Sequence, residues 1–294
     1  MALDLKKLAN KVRVTDGAWG TQLQAGGLPA GAAPELWNVE NAPRVLAVAQ
    51  AYVDAGSEII LTNTFGANRF ALAAHGLGDR AVELAQAGAA ISKQAAGKDV
   101  LVFGSIGPTG KIVMMQDVPE EELELAFAQT AAALARGGAD AIVLETFNEL
   151  DEIKIAMRAV KKATDLPVIA SMTFASGPDK TATMMGNTPG DLVRAAQEAQ
   201  ADAVGANCGL GPQDCVRICE LLRSAAAGLP IWIKPNAGLP LVAANGATTF
   251  PMGPDEFAAF VPRLVAAGAN FIGGCCGATP RHVRAVRTIV DRTR

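Results

Sequence analysis

Eight short apolar runs, separated by segments with helical periodicity, limit the folds open to this chain more than any other feature. The runs are rich in Val and Ile and lack regular polar alternation, which is typical of parallel strands buried on both faces. They comprise Val12–Thr15, Glu58–Asn63, Val100–Ser105, Ala141–Thr146, Pro167–Thr173, Ala203–Cys208, Pro230–Asn236 and Phe271–Cys276. Eight strands in strict alternation with helices, without a break in composition, predict a single (β/α)8 barrel over residues 1–294.

The segments between the runs carry apolar residues every three or four positions, as at Val45, Val48 and Tyr52. Thr188 with Pro189 has the form of a helix start, because Thr caps a helix and Pro fits its first turn. A doubly wound open sheet is the alternative architecture. No G-x-G-x-x-G follows the first run, which argues against a dinucleotide-binding version of that sheet.

The charge balance and the absence of certain segments exclude several classes of function. The chain has 26 basic and 29 acidic residues, so we expect no basic patch for nucleic acid. The sequence contains no run of about 18 apolar residues, so we expect no membrane span. Residues 1–11 lack the apolar stretch of a secretory signal. The five cysteines are then expected to be reduced thiols. We predict a cytoplasmic protein, monomeric or a small homo-oligomer.

Cysteines end two of the predicted strands, and barrel enzymes carry their catalytic residues at the carboxyl ends of strands. Cys208 ends the sixth run, and Cys275 with Cys276 ends the eighth. Three thiolates hold Zn²⁺ and leave a fourth position open for a substrate. Adjacent strand residues point to opposite faces, so the chain must turn between the two cysteines, which the flanking Gly273, Gly274 and Gly277 allow.

Spacing alone leaves a second interpretation of these cysteines open, in which they are small residues at a tight barrel closure. Cys215 and Cys219 lie four residues apart on the next helix, and we expect them to be buried hydrophobic residues. The longest connections should cover the active end of the barrel, and they are Gly17–Asn41, Gly107–Pro119 and Gly238–Pro254.

Seven motifs, in order along almost the whole chain, resemble those of the homocysteine S-methyltransferase family. The resemblance is greatest to the N-terminal homocysteine-binding barrel of cobalamin-dependent methionine synthase. The motifs are DGAWGTQL (16–23), LTNTFGANR (61–69), GSIGPTG (104–110), LETF (144–147), GANCGLGP (205–212), PNAGLP (235–240) and GGCCGATP (273–280). The resemblance implies a zinc-dependent methyltransferase that converts homocysteine to methionine.

The resemblance also implies roles for individual residues. Cys208, Cys275 and Cys276 would bind one zinc ion. Glu145 of LETF, with Thr146 beside it, would receive the amino group of homocysteine, which agrees with the need of a buried carboxylate for a cation. An internal ion pair with a Lys or Arg is the alternative for Glu145.

The first motif, at the end of the first strand, is expected to bind the other end of the amino acid. Asp16, Gly17 and Ala18 belong to this motif, and backbone N–H groups beside the glycine would bind the substrate carboxylate. A capping role is the alternative for Asp16.

Three further polar residues near the strand ends need separate interpretation. Asn236 follows the seventh strand and is a candidate oxygen ligand for zinc when no thiol is bound, with a loop-fixing hydrogen bond as the alternative. Lys234 could in principle form a Schiff base, but it precedes Pro235 without an evident second catalytic acid, so we set this role aside. His75 and His282 fall on helical segments, where capping or solvent exposure is the expected role.

The methyl donor is not specified by these motifs. A methyl-corrinoid (methylcobalamin) carried by a separate protein is our first choice, and S-methylmethionine, S-adenosylmethionine or betaine are alternatives. The acceptor could be another thiol, or the reaction could run in reverse and demethylate a thioether. A non-enzymatic alternative is a zinc-containing binding partner of a corrinoid protein.

Overall fold

Eight parallel strands close into a barrel, which confirms the predicted fold class. The computed structural model describes residues 3–226, 228–242 and 248–293. The strands are β1 (Arg13–Val14), β2 (Ile59–Leu61), β3 (Leu101–Ile106), β4 (Ala141–Phe147), β5 (Val168–Met172), β6 (Ala203–Asn207), β7 (Ile231–Lys234) and β8 (Phe271–Ile272). Each pairs with the next in chain order, β8 pairs with β1, and a parallel bridge between Thr15 and Ile59 joins β1 to β2.

Helices surround the barrel and follow the strands in alternation. They are Leu5–Leu8, Trp19–Ala25, Trp37–Glu40, Ala42–Asp54, Arg69–Ala73, Ala81–Ala96, Glu120–Arg136, Leu150–Ala163, Pro189–Glu198, Pro212–Ala225, Pro254–Ala258, Val261–Ala266 and Pro280–Thr293, with 3-10 turns at Pro34–Leu36, Gly78–Arg80 and Val113–Met115. Thr188 caps its helix through a reciprocal capping box with Asp191, as the Thr-Pro signal predicts. Within the described ranges no helix is long and apolar enough to cross a membrane.

The three long connections predicted to cover the active end do follow β1, β3 and β7. The third contains a short antiparallel pair, Leu241–Val242 with Thr248–Thr249. Residues 243–247 of that connection lie outside the described residues.

The inside of the barrel has an apolar layer below a polar one. Phe103, Trp232 and Phe271 pack together there, with ring centroids 6.0 Å apart for the first pair and 5.8 Å for the second. Side chains alternate along a strand, so positions two residues further on also face inward. These positions are polar and buried in five strands: Ser105, Glu145, Ser171, Asn207 and Lys234. The polar layer lies at the carboxyl ends of the strands, where barrel active sites form.

The opposite end of the barrel carries one arrangement four times. The residue directly before each even-numbered strand accepts a hydrogen bond from a backbone N–H of the preceding odd-numbered strand and also contacts a cationic side chain from a helix. We call these the four clamps. They are Glu58 with Val14 and Arg287, Asp140 with Val102 and Lys93, Asp202 with Val168 and Lys161, and Asn270 with Ile231 and Arg223.

Candidate functional site

A cavity of about 500 Å³ opens at the carboxyl ends of the strands. Its walls come from the connections after β1 and β2 and from the ends of β3, β4, β6, β7 and β8. The cavity brings together residues that are far apart in sequence, including Gly17, Glu145, Cys208, Cys275 and Cys276.

The three rim cysteines form one cluster, as the sequence predicts. Their sulfur atoms all lie within 4.8 Å of one another, and the Cys208 and Cys276 sulfurs are 3.8 Å apart. A tetrahedral zinc ion with Zn–S bonds of about 2.3 Å requires sulfurs about 3.8 Å apart. The donor set and its spacing therefore fit Zn²⁺. Cys215 and Cys219 are buried in the helical layer, away from this cluster, as expected.

Tight turns after β6 and after β8 position the cysteines. Cys208 has a left-handed φ of 62°, rare for a residue other than glycine, so the chain turns sharply at the end of β6. Of the three glycines beside Cys275 and Cys276, only Gly277 is left-handed, with φ 80°. Gly273 and Gly274 are needed for close packing instead, because a Cβ on either would lie 2.0 Å from Thr15 Oγ1 or 2.2 Å from Ala278 Cβ.

The three thiols do not ionise independently. Hydrogen bonds from Cys275 and Cys276 lower the pKa of Cys208 to about 3, so this sulfur is a thiolate. Hydrogen bonding to Cys208 raises the pKa of Cys276 to about 12 and also raises the pKa of Cys275 well above its ordinary value. One thiolate surrounded by two thiols is a site that a dication would complete by displacing two protons.

Glu145 lines the same cavity as the two cysteines that follow β8. The pairing of β4 with β5 is irregular here, and Thr146 has a left-handed φ of 67°, a bulge of the kind that re-aims a side chain. The Ser105 hydroxyl donates to Glu145 Oε1. Burial raises the pKa of Glu145, although the charge of Lys234 opposes the shift. Among the described residues, no Lys or Arg nitrogen lies within 4.0 Å of its carboxylate.

Asn207 connects Glu145's strand to the cysteine cluster. Its Oδ1 accepts from Ser171 Oγ at 2.7 Å and from the Thr146 N–H at 2.9 Å, and its Nδ2 donates to Thr146 Oγ1 at 2.7 Å. The same Nδ2 lies 3.9 Å from the Cys275 sulfur. This network holds the bulge of β4 and thereby orients Glu145.

Asp16 lies below the cavity wall and supports it. The side chain is fully buried, and its Oδ2 accepts from Trp19 Nε1 and from the Leu61 N–H, each at 2.7 Å. Its Oδ1 accepts from the Lys234 ammonium. Asp16 is not among the residues that line the cavity, whereas Trp19 and Lys234 are. This placement favours a supporting role over direct contact with a ligand.

Gly17 and Ala18 do line the cavity. The Ala18 N–H already donates to the Ala278 carbonyl at 2.9 Å. The Gly17 N–H has no acceptor among the described residues. Glycine is required at position 17 because a Cβ there would lie 2.2 Å from the Ala278 carbonyl oxygen.

Asn236 lies beside the cysteines and is almost fully buried. Its side chain hydrogen-bonds the Cys208 sulfur and helps to lower the pKa of that thiol. Its Oδ1 is buried without a hydrogen-bond partner. A buried amide oxygen is rarely left unpaired, so this atom is available to a ligand of the cluster.

Sequence reasoning missed several residues that line or support the cavity. Ser105 ends a predicted strand and Asn207 directly precedes the last residue of another, so the rule that located the cysteines would also have found them. Glu35 lies in an irregular connection, is 4% exposed, and accepts from the Gly66 N–H at 2.7 Å. His75 lines the cavity from an exposed position. His282 caps its helix through the Thr279 N–H, as expected.

The chain is similar to known proteins over almost its whole length. The family model described as homocysteine S-methyltransferase matches residues 13–290. A methionine synthase of Mycobacterium tuberculosis is 35% identical to this chain over 97% of its length. A methionine synthase of Mycobacterium leprae is 34% identical over 98% of its length. The chain spans about a quarter, 25%, of the length of these relatives.

Solved structures support the fold. The metallated form of the homocysteine methyltransferase MmuM from Escherichia coli superposes with a TM-score of 0.79 at 24% identity, covering 98% of this chain and 100% of that one.

Proposed function

Because this chain belongs to the homocysteine S-methyltransferase family, we propose that it moves a methyl group to the sulfur of homocysteine and forms methionine at a zinc site. The observation that carries the proposal is the three-cysteine cluster facing a buried carboxylate across one cavity. A methyltransferase of homocysteine needs both features, one for the sulfur and one for the amino group.

Cys208, Cys275 and Cys276 would hold one zinc ion per chain. The sulfur spacing and the two protons available for displacement support this set. The unpaired Oδ1 of Asn236 supports its role as an oxygen ligand when no thiol is present. When bound, zinc keeps a substrate thiol as the nucleophilic thiolate at neutral pH without a dedicated base.

The residues around the cluster would bind the amino acid. Glu145, fixed by Ser105 and by the bulge at Thr146, pairs with the substrate ammonium. The Gly17 N–H, next to Ala18, binds the substrate carboxylate. Asp16 would hold the first motif in place through Trp19 and Leu61. These contacts direct the sulfur toward the cysteines.

The reaction is a simple exchange of one bond for another. A lone pair of the homocysteine sulfur attacks the methyl carbon in line with its bond to the donor. The new sulfur–carbon bond forms as the bond to the donor breaks, and the donor keeps that electron pair. The product is a neutral thioether, a poorer metal ligand than a thiolate, so methionine leaves.

A methyl-corrinoid carried on a separate protein is our first choice of donor. The identity to methionine synthases supports a corrinoid donor. S-Methylmethionine, S-adenosylmethionine and betaine are the competing donors, and a cytoplasmic location remains a prediction.

Assays with purified, zinc-loaded protein test the proposal. Homocysteine is incubated with methylcobalamin, S-methylmethionine, S-adenosylmethionine or betaine in turn, and methionine is measured by mass spectrometry. We expect one equivalent of zinc per chain and methionine from methylcobalamin. Zinc binding without methionine from any donor would reject the enzymatic function and favour the non-enzymatic alternative of a zinc-containing binding partner.

A further inference from the structure

The cavity has an uneven distribution of charge. Two buried carboxyl side chains, Glu35 and Glu145, line it. Among the described residues, Lys234 is the only lysine or arginine in its lining. An amino acid in this cavity would bring its own carboxylate into a mostly negative environment, where a buried anion needs a cationic partner.

Lys234 occupies a position suited to that need. Its side chain is 2% exposed, and its ammonium donates to Asp16 Oδ1. An ammonium has three N–H donors, and within the described residues Lys234 makes no second hydrogen bond. Asp16 is followed directly by Gly17, whose N–H is also without an acceptor. Two unused donors, one of them charged, therefore lie at the same corner of the cavity.

Lys234 and Glu145 line the same cavity without forming an ion pair. Their charged groups are more than 4.0 Å apart, since no salt bridge joins them. An α-amino acid carries an ammonium and a carboxylate on one carbon atom. Bound in this cavity, such a group would direct its ammonium toward Glu145 and its carboxylate toward Lys234.

We propose that Lys234 is a substrate-binding residue that supplies the positive charge for the carboxylate of the thiol amino acid. The Gly17 N–H orients the same carboxylate by donating a hydrogen bond to it. This inference rests on the proposed function, because it concerns the same acceptor. It differs from the alternative in which Lys234 only neutralises Asp16. It also explains why a lysine at the end of a barrel strand needs no Schiff-base chemistry.

Two analogues of homocysteine, each lacking one charged group, separate these roles. 4-Sulfanylbutanoate keeps the carboxylate and lacks the amine, whereas 3-sulfanylpropan-1-amine keeps the amine and lacks the carboxylate. Titration calorimetry on the zinc-loaded protein measures the Kd of each thiol without any methyl donor. We expect Lys234→Met to weaken homocysteine and 4-sulfanylbutanoate by about tenfold or more and to leave 3-sulfanylpropan-1-amine nearly unchanged.

Matched variants separate binding from folding. Asp16→Asn combined with Lys234→Met removes the buried pair without leaving an unpaired carboxylate, and we expect the same selective loss. Lys93→Met removes a lysine–aspartate pair from a clamp at the other end of the barrel, and we expect no change in the Kd of any of the three thiols.

The outcomes are distinguishable. Equal weakening of all three thiols by Lys234→Met, or no weakening of homocysteine, would overturn the assignment of Lys234 and leave the proposed function standing. If the zinc-loaded wild-type protein bound none of the thiols, the proposed function would fail, and the assignment of Lys234 with it.

Discussion

The two ends of the barrel treat acidic side chains in opposite ways. At the amino ends of the strands, Glu58, Asp140 and Asp202 each bind a backbone N–H and an Arg or Lys. At the carboxyl ends, Glu145 and Glu35 are buried with N–H and O–H donors only, and burial raises the pKa of both. Of the described Lys and Arg residues, only Lys234 lines the cavity, and its ion pair is with Asp16 below the cavity.

The difference separates residues that hold the barrel together from residues kept ready for a ligand. A half-exposed carboxylate with a cation and a hydrogen bond contributes to stability at little desolvation cost. A buried carboxylate without a cation is unfavourable until a cation arrives. Buried carboxylates left without a cation at one end, in contrast to the paired carboxylates of the clamps at the other, therefore mark the binding site.

Replacing a cysteine of the cluster should give the largest effect and break the site without breaking the fold. We expect Cys276→Ser to lose zinc and to lower methyl transfer by about a thousandfold or more, because two thiolates hold the metal poorly. Elemental analysis and a thermal unfolding curve measure the two properties. Cys219→Ala, in the helical layer, is the control and should keep both zinc and activity; full activity of Cys276→Ser would show that the metal assignment is mistaken.

Glu145→Gln should come next in size. Loss of the buried negative charge should weaken homocysteine binding by about a hundredfold and affect 3-sulfanylpropan-1-amine similarly, while 4-sulfanylbutanoate binds as before. The free energy of unfolding should not fall, because an unpaired buried carboxylate is removed. Calorimetric Kd values and denaturant titrations test both statements, and unchanged homocysteine binding would contradict the role of Glu145.

A clamp residue should show the reverse pattern. Asp140→Ala removes the contacts to Lys93 and to the Val102 N–H, and we expect it to lower the free energy of unfolding by about 1–2 kcal/mol. Methyl transfer per folded molecule should remain at the wild-type level. Asp140→Asn keeps an oxygen that accepts from the strand N–H, as Asn270 does in the fourth clamp. Its free energy of unfolding should lie between those of wild type and Asp140→Ala. A loss of methyl transfer without a loss of stability would contradict the assignment of Asp140 to a purely stabilising role.

The smallest effect should be a dependence of homocysteine binding on pH. The pKa of Glu145 lies above its ordinary value of 4.5, and only the ionised carboxylate pairs with an ammonium. Binding should therefore weaken as the pH falls through this raised pKa, by up to about tenfold per pH unit. The contribution of Glu145 to stability has the opposite sign: it is fully present below 4.5 and is lost as the pH rises through the raised pKa.

Kd and unfolding measurements from about pH 4 to about pH 8, on wild type and Glu145→Gln, compare the two signs. The variant should remove the Glu145 step from both curves. A wild-type Kd that did not change over this range would count against pairing between Glu145 and the substrate ammonium.

The sequence predicts the fold and the cysteine cluster because both depend on strand order alone. Eight strands in a barrel bring the ends of the sixth and eighth together, so Cys208, Cys275 and Cys276 meet whatever the details of the register. Strand lengths were harder to predict. The eighth run ends as a strand at Ile272, because the chain leaves the sheet where the Gly274 N–H bonds the Asp16 carbonyl.

The role of Lys234 depends on which face of its strand is inside the barrel. Buried parallel strands are apolar on both faces, so the sequence gives no alternation from which to set that phase. Once Trp232 is known to face inward, Lys234 must do so too. Glu35 lies in an irregular connection without any period, and only the packing of the first connection against Gly66 reveals that it is buried.

The four clamps also bear on the order in which the chain assembles. Each joins residues only 34 to 44 positions apart, so its loop closes at a small entropic cost, and each strand pair is complete soon after its second strand is synthesised. The first clamp differs, because its Arg287 comes from the last helix. Arg13 of the first strand already pairs with Glu58, so Arg287 adds a second, long-range cation from the helix that follows β8, the strand that closes the barrel against β1.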